Sequence, residues 1–180
     1  MQMTPMVQSF VMHFGEMGSR WGVNRTVGQI FALLVVNEQP LNAEDLGSAL
    51  SISRGNVSMG VKELQSWRLV KPVHLPGERK EYYIADGSLW DMATKVLEER
   101  RKREVDPTLS VLRDLMMDSP GNEAEEYAQG KMRELHDMLE VFTKWSHDLQ
   151  NMSQENLMTL MKLGAGVGKV LDMKDRILNN

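Results

Sequence analysis

The sequence predicts a mainly α-helical chain with a small two-stranded β element. Three observations support this: apolar residues recur every three or four positions over long stretches, only two short runs are β-rich, and Pro76-Gly77 lies between those runs. The chain has 180 residues, 42% hydrophobic and 26% charged, an ordinary balance for a globular protein. It has no cysteine, which excludes disulfides, thiolate metal sites and cysteine nucleophiles. No window holds the roughly 18 apolar residues of a spanning helix. The opening MQMTPMVQSFVMHF lacks the basic start and small-residue cleavage site of a secretory signal. A soluble, cytoplasmic protein with no membrane partner, no cofactor and no metal is expected.

Residues 5–36 read as helical, with a break around Gly15, Gly18 and Gly22. RTVGQIFALLVV places Val27, Ile30, Phe31, Leu34 and Val35 on one face. Pro40 ends that helix, because the residue before a proline is disfavoured in helical conformation. Asn42 caps a short helix, AEDLGSAL, with Asp45 placed to answer as in a capping box. Ser51, Ile52 and Ser53 make a tight turn, and Ser53 caps the next helix, where Val57, Val61 and Leu64 share a buried face. KPVHL and EYYIA follow as strands joined by PGERK, a hairpin with Gly77 in its tip. Trp67 and Tyr83 are expected in the core beneath it. Helix, helix, turn, helix, strand, basic tip, strand is the layout of a winged helix-turn-helix, with the hairpin as the β-wing.

From Ser88 the chain turns helical again, with Pro107 expected at a kink or in an early turn, and SPGN (119–122) is a break. About 28 helical residues follow, striped by Tyr127, Met132, Leu135, Met138, Leu139, Phe142 and Trp145. A last helix begins near Ser153, carries Leu157, Leu160, Met161, Leu163, Val167, Val170 and Leu171, and runs through GAGVG (164–168). These helices hold more apolar surface than a lone winged head can cover, so a homodimer is expected. The division reads as 1–105, N-terminal helices and a winged helix-turn-helix DNA-binding domain, and 106–180, a C-terminal helical region for dimerisation or effector binding. ERRKRE (99–104) reads as a solvated face with pairs such as Glu99 with Arg103 rather than as a nucleic-acid patch.

The helix RGNVSMGVKELQS raises a specific question, because Gly55 and Gly60 each cost close to ~1 kcal/mol relative to alanine in a helix. A helix entering the major groove must bring its backbone close to base edges and phosphates, and bulky side chains would prevent that. Gly55, Asn56 and Ser58 leave the N-terminal end nearly bare, while Gly60 lies beside the buried stripe and admits a neighbouring helix. Arg54 and Lys62 supply charge, Asn56 a bidentate amide, and Ser51, Ser53 and Ser58 short hydroxyls. Arg79 and Lys80 at the hairpin tip would reach the minor groove or its phosphates. The net charge of −4 argues against indiscriminate coating of nucleic acid. The six Lys and Arg of residues 42–85 meet only five acids, so the acidity lies further along the chain.

The run SISRGNVSMGVKELQSWRLV followed by PGERKEYY resembles the winged helix-turn-helix of the MarR superfamily. FGEMGSRWGVNRTVGQIFALL (14–34) and QPLNAEDLGSAL (39–50) resemble its GbsR-type branch in particular. The similarity spans about residues 5–105, and residues 106–180 share only helical character. The resemblance implies a dimeric transcriptional regulator, usually a repressor, that binds double-stranded DNA and in some relatives answers to a small-molecule effector such as an osmoprotectant or its precursor.

Quaternary ammonium effectors are held by aromatic faces, and Trp21 and Trp90, where head and later helices join, are the candidate effector residues. Two other functions compete. An enzyme is not expected: His13, His74, His136 and His147 are scattered, and His136–Asp137 and His147–Asp148 are adjacent, so each pair points to different sides of a helix. A winged protein-interaction module, an anti-repressor or adaptor that does not read DNA directly, is the alternative to a DNA-binding regulator.

Overall fold

The computed structural model describes residues 3–20 and 22–164. The chain divides into two compact units, Met1–Leu97 and Glu98–Asn180. The first opens with α1 (Pro5–Arg20) and α2 (Arg25–Val36), followed by a two-residue strand β1 (Leu41–Asn42). Then come α3 (Ala43–Leu50), α4 (Arg54–Ser66), β2 (Val70–His74), β3 (Glu81–Ala85) and α5 (Leu89–Arg100). The break expected around three glycines is narrower than the sequence suggests. Helix α1 passes through Gly15 and Gly18, and the chain turns only at Gly22, whose φ is +76°.

Helix α2 is the centre of this unit. Val27, Ile30, Ala32, Leu33 and Leu34 are all buried, because α1, α3, α4 and β3 all pack on this helix. The one-face pattern read from the sequence therefore understates its burial. Glycine makes the α1–α2 crossing possible: a Cβ on Gly28 would lie 3.1 Å from the carbonyl oxygen of Phe14. The other key approach is that of α4, where a Cβ on Gly60 would stand 2.6 Å from Cδ1 of the fully buried Ile30. Gly60 is a packing glycine.

The wing carries a third strand that the sequence did not announce. The sheet order is β1-β3-β2, all antiparallel, with Leu41 opposite Tyr83 and Asn42 opposite Tyr82. Two residues are too few for any periodicity to show. Asn42 does double duty, pairing in the sheet and capping α3. Its side-chain oxygen accepts from the Glu44 and Asp45 N–H groups at 2.9 and 3.1 Å, while its own N–H donates to the Asp45 carboxylate at 3.1 Å. Ser51 closes α3 in the left-handed region (φ 54°). Trp67 is buried in the core, and Tyr83 packs partly buried against it.

Helix α5 is clamped to the head by Lys95. Its ammonium donates to the carbonyl of Arg68 at 2.6 Å, just past the end of α4, and to the carbonyl of Asp86 at 3.1 Å, just past β3. The Asp86 carboxylate, 3.3 Å from Lys95 and 2.8 Å from Lys71, bridges the two cations, and their hydrogen bonds hold its pKa below the usual aspartate value. Trp90 is half-buried near the start of α5, and Trp21 lies outside the described residues.

In the second unit a π-helical turn (Arg101–Val105) leads into α6 (Asp106–Leu115), with Pro107 in the first turn of α6 as the early-turn reading expects. The basic run is absorbed locally: Arg100 binds Glu104, Lys102 binds Glu98 and Glu99, and Arg101 binds Asp106 at 2.7 Å. Helix α7 (Glu123–Gln150) is capped by Asn122 and packs on α6, which buries Leu109 and Leu112. Its inner face runs through Met132, the buried His136 and Leu139. Asp137 reaches back to its neighbour, 3.4 Å from Nδ1 of His136. The apolar stripe read from the sequence thus splits in two, and Tyr127 (70% exposed), Met138, Phe142 and Trp145 (54% each for the last two) face outward. Residues 154–164 are helical; Val167, Val170, Leu171 and most of GAGVG lie outside the described residues. No helix among the described residues is long and apolar enough to cross a membrane.

Replacing Asn42 by Ala removes the acceptor of two N–H groups at once. It should cost about 1 kcal/mol, read by calorimetry as a fall of roughly 2–4 °C in Tm for a chain of this size.

Candidate nucleic-acid interface

Helix α4 has two unlike sides. Val57, Val61 and Leu64 are buried, each four or three residues from the last, and Gly60 lets that side close on α2. The other side presents Arg54, Gly55, Asn56, Ser58 and Lys62, all exposed. At Gly55 a Cβ would meet nothing nearer than Oγ of Ser53 at 3.9 Å, so nothing inside the chain requires glycine there. The two glycines of one helix therefore have separate causes.

The turn before α4 is built by serines. Ser51 holds the left-handed position that closes α3. Ser53 caps α4, its oxygen accepting the Asn56 N–H at 3.2 Å, which leaves the hydroxyl hydrogen free to donate outward. Ser51 and Ser53 are exposed in the turn that leads into α4, so seven of the nine expected residues are exposed within residues 51–62: Ser51, Ser53, Arg54, Gly55, Asn56, Ser58 and Lys62.

Arg79 and Lys80 occupy the hairpin, exposed, after the turn that Gly77 makes with φ +83°. Lys80 is not a free cation. Its ammonium meets the carboxylate of Glu44, near the start of α3, at 2.6 Å. The hydrogen bond and charge of Lys80 lower the Glu44 pKa, with a further charge contribution from Arg54, and Glu44 in turn raises the Lys80 pKa. One acid therefore sits within the influence of the cations of both the wing and the α4 terminus. Sequence reasoning missed it because 36 positions separate the pair and no local pattern links them. Behind the wing, burial and a hydrogen bond to Glu81 push the Tyr83 hydroxyl up to about 12, so it stays a neutral donor.

One exposed side of α4 thus carries Gly55, Ser58, Asn56, Arg54 and Lys62, α3 packs against that helix, and Arg79 and Lys80 stand exposed in the hairpin; these are groups that a polyanionic groove accepts. A sequence model of the MarR family matches residues 21–81, which run from just before α2 into β3. Over those residues the winged head is similar to the MarR family.

Two curated relatives carry the resemblance to the GbsR-type branch. The HTH-type transcriptional repressor GbsR of Bacillus subtilis is 23% identical over 67% of this chain and 68% of its own length. YvaV of the same organism, named as an HTH-type transcriptional regulator, is also 23% identical, over 82% of this chain and 88% of its own. A crystal structure of a transcriptional regulator matches the fold with a TM-score of 0.62 at 20% identity, covering 81% of this chain and 96% of that one. The head is thus mainly helical with a small β-wing, and both curated relatives are named as transcriptional regulators.

The Glu44–Lys80 pair should be intact at neutral pH. Because the Glu44 pKa is depressed, the pair is lost only as pH falls through that lowered value; because the Lys80 pKa is raised, it is lost at the alkaline end only as pH rises through it. Carbon-detected NMR titration of Glu44 should give a midpoint below the usual glutamate value, returning toward it in Lys80→Met.

Proposed function

We propose that the protein is a sequence-specific DNA-binding transcriptional regulator that acts as a homodimer. The observation that carries this reading is the open space at Gly55: a helix face kept small although no neighbour in the chain demands it. In this reading α4 lies in the major groove. Arg54, Asn56, Ser58 and Lys62 face bases and phosphates, and Ser51 and Ser53 flank them on the backbone. Arg79 and Lys80 of the wing meet the adjacent phosphates or minor groove. A regulator of this kind works where the chromosome is, in the cytoplasm of a bacterial or archaeal cell.

The dimer rests on a different observation. Tyr127, Met138, Phe142 and Trp145 leave an apolar face of α7 exposed, more than scattered surface residues account for. We assign to residues 106–180 the role of pairing two chains, with residues 1–105 reading DNA, because two heads on successive half-sites gain affinity and specificity that one cannot. Repression is supported by similarity to the repressor GbsR; control by a small molecule near Trp21 and Trp90 is a further part of the reading and rests on the aromatic character of those residues. An effector with higher affinity for one head spacing would shift the population between DNA-competent and incompetent dimers.

Two experiments test the proposal. Duplexes retained by the full-length protein from a random pool provide the probe, and anisotropy over a salt series measures binding. Gly55→Leu should hold or raise Tm by up to roughly 2–4 °C, since a helical glycine is removed into open space, and lose at least ten-fold in affinity. Arg79→Ala with Lys80→Ala should flatten the slope of log affinity against log salt by about one to two units. A protein-interaction module would retain no duplex at all. In sedimentation, the wild type should run as a dimer, and Phe142→Glu with Trp145→Glu as a folded monomer.

A further inference from the structure

We propose that Met59 reads the 5-methyl group of a thymine in the major groove and so sets one position of the recognised sequence. The inference rests on the DNA-reading assignment of α4 and names a residue and a base feature that assignment leaves open. Met59 is 66% exposed on α4, and it stands outside both the core and the apolar shell packed against it. A single exposed methionine is unremarkable on most surfaces. Its setting is what matters here, because the surrounding face is otherwise glycine, serine, asparagine and lysine.

Helical side chains lean toward the N-terminus and cover the turn before their own Cα. For Met59 that turn holds Gly55 and Asn56, four and three residues earlier. Gly55 offers no Cβ, and the space where one would be is open apart from Ser53 Oγ at 3.9 Å. The thioether can therefore lie along the bare backbone at the end of the helix where base contacts are made. Thymine alone among the four bases carries a methyl group in the major groove, and apolar side chains are its natural contact. Asn56, one turn before, has the amide suited to the N6 and N7 edge of adenine. An amide and a thioether side by side thus suit an A·T-containing step, one reading hydrogen bonds and the other the methyl. The unbranched, polarisable methionine side chain adapts to that contact better than a rigid one.

The test replaces thymines singly by deoxyuridine in the duplex recovered from the random pool, which removes the methyl and keeps the base pair. Wild-type protein should bind about four-fold more weakly at one thymine per half-site, the effect of burying one methyl. Met59→Ala should bind the thymine and deoxyuridine duplexes equally, and Met59→Leu should keep most of the discrimination. Circular dichroism and Tm should be unchanged in both variants, since the side chain is exposed. Equal wild-type binding at every substituted position, or discrimination that persists in Met59→Ala, would overturn the assignment while leaving DNA reading by α4 in place. Recovery of no duplex from the pool would instead overturn DNA reading itself, and Met59 with it.

Discussion

The contact between Gly60 and Ile30 fixes where α4 can lie. A helix that must bury one side against α2 and keep the other side free has little choice of depth. With a side chain at residue 60, α4 would ride outward on Ile30, and Val57, Val61 and Leu64 would lose part of their burial. Ile30 is itself fully enclosed and cannot move aside cheaply in a densely packed core. The depth of α4 in turn fixes the turn at Ser51–Ser53 and the height at which Gly55 and Asn56 stand above the surface. The packing glycine makes the exposed one useful.

Electrostatics follow a similar economy. A chain of net charge −4 holds its cations near α4 and the wing in a sector that is close to neutral, and Glu44 tempers two of them. Exposed pairs of this kind contribute little to stability, so the consequence of Lys80 meeting Glu44 lies in what the wing offers a partner. In the proposed reading a phosphate must displace the carboxylate to take the ammonium. That weakens unspecific attraction and leaves more of the discrimination to the small face of α4.

Most of the head was legible from the sequence because its signals are local. Asn42 and Ser53 cap the helices they were expected to cap, the Val57–Val61–Leu64 stripe is buried, and Gly77 turns the hairpin. What escaped depends on distance along the chain or on neighbours. β1 is too short to alternate, and its existence is decided by Tyr82 and Tyr83, some forty positions away. The Glu44–Lys80 pair has the same cause. In α7 a single broad apolar stripe could not reveal which part faces α6, and the buried His136 shows the inner face lying beside the expected one. The π-helical turn before Pro107 left no mark beyond the proline itself. Of the candidate site, the exposed side of α4 was readable; the reason Gly55 and Gly60 differ became visible only with Ile30 in place.

The Lys95 clamp ties two elements of the head to a third. One ammonium holds the carbonyl that follows α4 and the carbonyl that follows β3, with Asp86 locking it from the side. The end of α4 and the end of the hairpin are therefore both yoked to α5 through one side chain. A change in the direction of α5 would therefore bear on both through the same ammonium group.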